Sequence, residues 1–241
     1  MDHRLLVIIP TYNEIENISA IIKAVFQLDL DFHVLVVDDN SPDGTAIEVK
    51  KLQHHQTNLF LEVREKKVGL GAAYVHGFQW ALQHNYDYIF EMDADFSHNP
   101  KDLIRLYEVA VKEKVDMVVG SRYIKGVNVV NWPLSRVLLS YFASIYVKLI
   151  TGMKIHDATA GFVCYHHQVL RKIDLKRIKF VGYAFQIEMK YRTFVNGFSI
   201  QEIPIIFTDR TKGVSKMSGK IINEAVFGVI NLRIKQLFSL L

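Results

Sequence analysis

Asp93 and Asp95 stand one residue apart in Met92-Asp93-Ala94-Asp95-Phe96-Ser97-His98, just after the apolar run Tyr88-Ile89-Phe90. A β-strand sends alternate side chains to opposite faces, so the two carboxylates share a face, and at the strand end both can turn toward a ligand. Hard oxygen donors of this kind suit Mg²⁺ or Mn²⁺ held together with substrate phosphates. An Asp-x-Asp also occurs as a capped, solvated turn, so its meaning depends on its surroundings. A second acidic pair, Asp38-Asp39, closes the apolar run Val34 to Val37, and Pro10 closes the run Leu5 to Ile9.

The elements between these runs set where the residues meet. After Pro10, Ile15, Ile18, Ile21, Ile22, Val25 and Phe26 recur at helical spacing, with Asn13 and Glu16 placed as a capping box. Strand Val34 to Val37, a turn at Ser41-Pro42-Asp43-Gly44, a helix to about His54 and a strand at Leu59 to Val63 follow. The spacing then predicts a helix from Gly71 to His84, the strand before Asp93, a helix from Lys101 to Lys114 and a strand at Met117 to Val119. This alternation predicts an α/β fold: a mainly parallel sheet with helices on both faces and ligands at the carboxyl ends of the strands. Pro10, Asp39 and Asp93 all fall at such ends, which favours a shared ligand site over an isolated acidic turn.

Other α/β sites do not fit. A dinucleotide-binding G-x-G-x-x-G is absent after the first strand, where Pro10-Thr11-Tyr12-Asn13-Glu14 stands instead. The stretch Lys66-Lys67-Val68-Gly69-Leu70-Gly71 lacks the Lys-Ser/Thr that a P-loop carries after its glycines. Asp38-Asp39 follows the second strand rather than the first, and the chain is long for a phospho-acceptor module.

With 241 residues, 50% of them hydrophobic and 22% charged, the chain can build one substantial core. No low-complexity or linker stretch interrupts it, so a single domain over 1–241 is expected; the family resemblance given below divides it into a donor-binding half to about 120 and an acceptor-facing half from 121. The net charge of +4 is modest, but Arg171, Lys172, Lys176, Arg177, Arg210, Lys212 and Lys216 fall late. Such clustering favours phosphate-bearing or membrane-surface partners, and without interleaved aromatic and basic residues no nucleic-acid partner is expected. Cys164 is the single cysteine, which excludes an internal disulfide and fits a reducing compartment. The opening residues lack the pattern of a signal peptide, so catalysis is expected to face the cytoplasm.

Pro-Thr-Tyr-Asn-Glu (10 to 14), Val-Val-Asp-Asp-Asn-Ser-Pro-Asp-Gly-Thr (36 to 45) and Asp-Ala-Asp-Phe-Ser-His (93 to 98), in this order, resemble the inverting GT-A glycosyltransferases of family 2. Gly-Ser-Arg-Tyr (120 to 123), Asn-Trp-Pro-Leu-Ser-Arg (131 to 136), Asp-Ala-Thr-Ala-Gly-Phe (157 to 162) and Asp-Arg-x-x-Gly-x-Ser-Lys (209 to 216) are similar to dolichyl-phosphate mannosyltransferases and their prokaryotic polyprenyl-phosphate relatives. The resemblance covers nearly the whole chain. It implies a GT-A fold, GDP-mannose as donor, a polyprenyl or dolichyl phosphate as acceptor and a divalent cation. Pro10, Tyr12, Glu14, Val37, Asp39 and Ala94 correspond to nucleotide-sugar positions, and Asp93 and Asp95 to metal and diphosphate positions. Ser97 stands where some relatives place a glutamine ligand, so its shorter side chain, or a water, takes that place. Arg122, Arg136, Arg210 and Lys216 match phosphate positions, the last two on the donor side, with Ser140 beside the acceptor phosphate. Asp157 joins the catalytic set as a carboxylate able to orient Arg122 or Arg136. Bidentate guanidinium pairing with phosphate supplies the physical reason.

A lipid monophosphate has its second pKa near about 6, so its oxygen is already a competent nucleophile and no strong general base is required. Single displacement at an α-linked donor then gives a β-linked product.

From Pro133 to Thr151, Arg136, Ser140, Ser144 and Lys148 trace one polar stripe on an otherwise apolar helix, which suits an interfacial helix or a buried one equally. No uncharged apolar run approaches the roughly 20 residues that span a bilayer. The stretch from Ser218 to Leu241 is another amphipathic candidate. Where some relatives continue into transmembrane helices, the expectation here is a peripheral enzyme on the cytoplasmic membrane face, held by amphipathic contact or by a membrane-anchoring partner. Rival readings are a UDP-sugar donor, such as UDP-glucose, and a noncatalytic nucleotide-sugar-binding subunit.

Overall fold

A computed structural model describes residues 3–180, 182, 184–209 and 219–238, the side chains of 219–225 excepted. In chain order, β1 (Leu5–Thr11), α1 (Ile18–Phe26), β2 (Phe32–Asp38), α2 (Thr45–Gln53), β3 (Leu59–Val63), α3 (Leu70–Gln83), β4 (Tyr88–Glu91), α4 (Asp102–Lys112) and β5 (Met117–Ser121) realise the predicted alternation. The chain continues through β6 (Val129–Val130), α5 (Leu134–Thr151), β7 (Val163–His166), α6 (His167–Lys172), α7 (Ala184–Val195), β8 (Ile200–Pro204), β9 (Phe207–Thr208) and α8 (Gly219–Leu237). The main sheet has the order β3-β2-β1-β4-β7-β5-β8, and β6 pairs with β9 in a small second sheet. All main-sheet pairings are parallel except those of β7, which runs antiparallel to both β4 and β5. Strands β7 and β8 lie between the two helical stretches read from the sequence, 133–151 and 218–241, where no strand is predicted, yet they join the same sheet.

The continuous apolar strands follow from burial on both faces. Leu5, Val7 and Ile9 of β1 pack with α1 and α4 on one side. Leu6 and Ile8 pack with α3 and α7 on the other. A third cluster joins α5, α7 and α8 through Val147, Ile187, Tyr191, Val229 and Leu232. Pro10 does not end β1: the strand runs to Thr11. Pro10 lies on the same edge of β1 as Ile8, whose carbonyl accepts from Met92 N–H, and β4 has stopped there, so the missing proline N–H leaves no ladder bond unmade.

The capping box is a correction. Helix α1 starts at Ile18 behind Asn17, whose side chain caps nothing, and Asn13 adopts φ +59°. The N–H groups of Asn13, Glu14 and Ile15 donate to Ser41 Oγ, Thr45 Oγ1 and Asp43 Oδ2 at 3.0, 3.0 and 3.1 Å. The neighbouring loop satisfies this backbone, so no helical turn is required there. Helix α5 also departs from expectation. It is 18 residues long with a mean hydropathy of 1.3, enough by length and composition alone to cross a membrane. Core burial is excluded for most of it: Ser144, Val147 and Thr151 are buried, while Leu134, Phe142 and Leu149 are 71, 60 and 78% exposed. Of the predicted polar stripe, Ser144 is buried and Arg136 and Ser140 line a cavity, while Lys148 at its far end is exposed; apolar side chains turn out.

Candidate active site

The carboxyl ends of the parallel strands β1, β2, β4 and β5 form one rim, and the loops leaving them carry the predicted residues. At the β2 end the acidic pair divides its work. Asp38 is fully buried and accepts from Thr11 Oγ1 at 2.7 Å and from Ser41 N–H and Oγ at 2.8 and 2.6 Å, so it ties the ends of β1 and β2 together. Asp39 instead pairs with Arg64, whose Nε donates at 2.6 Å. The Lys67 ammonium lies 4.0 Å from the centre of the Tyr12 ring, and Glu14 accepts from Asn17 Nδ2 at 3.1 Å. Val37 and Ala94 have their side chains in the core, which leaves their backbone for any ligand. Pro10, Tyr12, Glu14, Val37, Asp39 and Ala94 thus form one stretch of rim, outside the main cavity.

That cavity, of about 330 Å³, brings together Asp93, Asp95 and Ser97 from the loop after β4, Arg122 from the end of β5, and Arg136 and Ser140 from α5. Asp95 is 7% exposed and its Oδ1 accepts from Ser97 N–H at 3.0 Å. The turn between them puts Phe96 at φ +60°, a left-handed conformation uncommon for a bulky side chain and the kind of strain found at functional loops. The Ser97 carbonyl accepts from Thr208 N–H at 3.2 Å, which pins this loop to β9.

Arg122 is held from several sides. Its Nε and Nη2 donate to Asp157 Oδ2 and Oδ1 at 2.7 and 2.6 Å, its backbone N–H donates to Oδ2 at 2.9 Å, and Nη2 also reaches Thr159 Oγ1 at 2.8 Å. Burial pushes the Asp157 carboxyl up, but the Arg122 guanidinium outweighs it and holds the group below the usual carboxylate range. Asp157 therefore orients Arg122 rather than facing the cavity, and of the two arginines considered for it, it takes Arg122. Arg136 pairs with Asp209 at 3.0 Å and lies 4.0 Å over the Trp132 ring. Arg210 and Lys216 lie outside the described residues.

Several cavity residues had no assigned role in the sequence: His98, Trp132, Thr159, Gln186, Phe207 and Asp209. All but Gln186 and Phe207 fall inside the quoted motifs, so the signal was present and only the role was missing. His98 is stacked on Phe162 at 4.8 Å, and burial pushes its pKa down to about 4, so it is neutral at physiological pH. The small β6/β9 sheet positions Trp132 and Asp209, because Asp209 N–H donates to Val130 at 3.0 Å. Behind the cavity, burial raises the Glu91 pKa and lowers that of Lys190.

Among the described residues, no three His, Cys, Asp or Glu side chains are close enough together to hold a metal ion. Two carboxylates on one loop fit a hard cation that completes its shell with phosphate oxygens and water, and do not fit a closed structural site.

The family model described as Glycosyl transferase family 2 matches residues 6–174, which include both acidic motifs, Arg122, Arg136 and Asp157. The chain belongs to this family. Similar proteins carry the match beyond residue 174. A polyprenol monophosphomannose synthase of Mycolicibacterium smegmatis is 48% identical over 94% of this chain and 85% of its own length. An undecaprenyl-phosphate mannosyltransferase of Micrococcus luteus is 44% identical over 94% of this chain and 92% of its own. Among solved structures, glucosyl-3-phosphoglycerate synthase of Mycobacterium tuberculosis, in complex with Mn²⁺, UDP and glucosyl-3-phosphoglycerate, superposes with a TM-score of 0.69. That match covers 97% of this chain and 80% of the other at 16% identity, so it speaks for the fold alone. The family 2 chain is a glycosyltransferase with a GT-A sheet, and its Asp93–Asp95 loop, Arg122 and Arg136 converge on one cavity.

Proposed function

We propose that this glycosyltransferase moves mannose from GDP-mannose to a polyprenyl phosphate, with inversion, at the cytoplasmic face of a membrane. One observation carries the reading: Asp93 and Asp95 line a single cavity together with the guanidinium groups of Arg122 and Arg136, the latter paired with Asp209, and helix α5 supplies much of that cavity's apolar wall. The two mannosyltransferase relatives support the sugar and the lipid class. Leu134, Leu138 and Leu149 on the outer side of α5 and Phe142 at the cavity's edge, with Phe227, Ile230 and Ile234 on α8, give an exposed apolar surface next to the cavity, which suits contact with a bilayer.

In this reading Asp93 and Asp95 hold a divalent cation, which when bound would neutralise charge on the departing nucleoside diphosphate. Pro10, Tyr12, Glu14 and Asp39 take the nucleoside, and for that Asp39 shares or exchanges its bond to Arg64 and Tyr12 its contact with Lys67. Arg122, fixed by Asp157 and Thr159, and Arg136 bind and align the acceptor phosphate, with Ser140 beside it. Arg210 and Lys216 are assigned to the donor phosphates. The ionised lipid phosphate attacks the anomeric carbon directly, so the protein's work is to bring two anions together in line and exclude water. The neutral His98 and the packed rings around it keep that side of the cavity dry.

The test is transfer of labelled sugar into organic-extractable polyprenyl phosphate with Mg²⁺ or Mn²⁺, comparing GDP-mannose with UDP-glucose. Chelator-sensitive mannosyl lipid is the expected product. Product from the UDP-sugar alone would overturn the donor, and no product from either would overturn the enzyme reading.

A further inference from the structure

Lys190, on α7, is completely buried behind the cavity, and its ammonium has a full set of acceptors. It donates to the Ala160 carbonyl at 2.6 Å, the Gln186 carbonyl at 3.3 Å and Gln186 Oε1 at 3.3 Å. Gln186 lines the cavity and donates through Nε2 to Glu91 Oε2 at 2.6 Å, while Tyr165 OH donates to Glu91 Oε1 at 3.3 Å. Glu91 is itself fully buried and ends β4, two residues before Asp93. Ala160 belongs to the 157–162 loop, which presents Asp157 and Thr159 to Arg122. One buried ammonium therefore joins the loop that aims Arg122 to the strand that carries the Asp93–Asp95 loop. An apolar side chain would fill this space without the desolvation cost of a charge, so packing alone does not account for a lysine here.

We propose that Lys190 is a positioning residue for the transfer reaction: its grip on Ala160 and Gln186 holds the 157–162 loop at the depth where Asp157 and Thr159 aim Arg122 at the phosphate. The proposal rests on the reading of Arg122 as a phosphate-binding group. A rival account makes Lys190 only the counter-ion of Glu91, required for folding and irrelevant to the loop. The two accounts differ in what they need at position 190, a hydrogen-bond donor or a positive charge.

The experiment compares full-length E91Q/K190M with E91Q/K190Q, both of which remove the two charges together. Only the glutamine variant keeps an N–H donor for Ala160. Melting temperature, kcat, the separate KM values for donor and lipid, and the affinity for farnesyl phosphate by calorimetry are measured for each. The expected result is similar melting temperatures, a loss of about tenfold or more in kcat/KM for the lipid in the methionine variant, and recovery of most of it in the glutamine variant. The KM for the nucleotide sugar stays within about twofold, as remote packing predicts for an unperturbed subsite. Equal activity in both doubles, whether at the wild-type level or equally reduced, would overturn the donor role. Calorimetry needs no turnover: if the wild type binds farnesyl phosphate but makes no mannosyl lipid, the functional reading fails while the methionine-to-glutamine contrast in affinity still decides the role of Lys190. A wild type that does not bind farnesyl phosphate overturns both.

Discussion

Arg122 and Asp157 show how a guanidinium is fixed in place before any ligand arrives. The carboxylate is fully buried and satisfies two guanidinium donors and a backbone N–H of Arg122, which also lines the cavity. Asp157→Asn leaves a buried guanidinium without its counter-charge, and breaking a buried pair from one side costs about 3–5 kcal/mol, so the melting temperature should fall together with transfer activity. Because the folded pKa of Asp157 lies below its ordinary value of 3.8, the pair's contribution is complete above that value. It is lost as pH falls through the lower folded value, where the folded state finally takes up the proton. Melting curves from pH 7 to pH 3 should therefore show a steeper acid loss for the wild type than for Asp157→Asn.

Arg136 is prepared differently, since Asp209 occupies it at 3.0 Å with both side chains partly exposed. An incoming dianion must compete with that carboxylate. Partly exposed pairs are worth about 0.2–1 kcal/mol, so Asp209→Asn should lower the KM for lipid phosphate by roughly 1.4- to fivefold and leave the donor KM unchanged. Steady-state kinetics with each substrate varied in turn would check this.

At the scale of elements, α5 is turned inside out relative to an ordinary surface helix. Arg136, Ser140 and Ser144 face the protein, and the side that a soluble domain would cover with polar groups carries Leu134, Leu138, Phe142 and Leu149. These positions contribute little to the core, so Leu138→Asp or Leu149→Asp should change stability by no more than about 0.5 kcal/mol. Both should reduce co-sedimentation with phospholipid vesicles, with activity on micellar short-chain acceptor retained. The same helix was ambiguous in the sequence because a polar stripe every four residues reads alike whether it meets water or a protein cavity. The capping error at Asn13 has a similar origin: the partners that satisfy its backbone, Ser41 and its neighbours, lie about thirty residues away and give no local signal.

For the whole molecule, the rim proposed for the donor and the cavity proposed for the acceptor lie side by side, and the Asp93–Asp95 loop proposed for the cation adjoins both. With two carboxylates and no third acidic or histidine ligand close by among the described residues, Mn²⁺ alone should bind weakly. GDP should strengthen that binding by about 5- to 150-fold, a coupling of roughly 1–3 kcal/mol that holds equally in the other direction. Calorimetric titrations of each ligand with and without the other would measure it.

The sequence alone determined the βα alternation, because runs buried on both faces are continuously apolar and helices keep their own period. It also singled out Asp93, Asp95, Arg122 and Arg136, which the fold brings to one cavity, because they stand in motifs that recur in order along the chain. Only the tertiary structure decided that Asp38 is a strut while Asp39 faces Arg64, that Asp157 serves Arg122 and Asp209 serves Arg136, and which way α5 turns its polar stripe. It alone exposed the link from Lys190 through Gln186 to Glu91, a buried network assembled from α7, β4 and the loop before β7. Those facts depend on contacts between residues far apart in the chain, and local spacing carries no record of which distant group fills a partner's place.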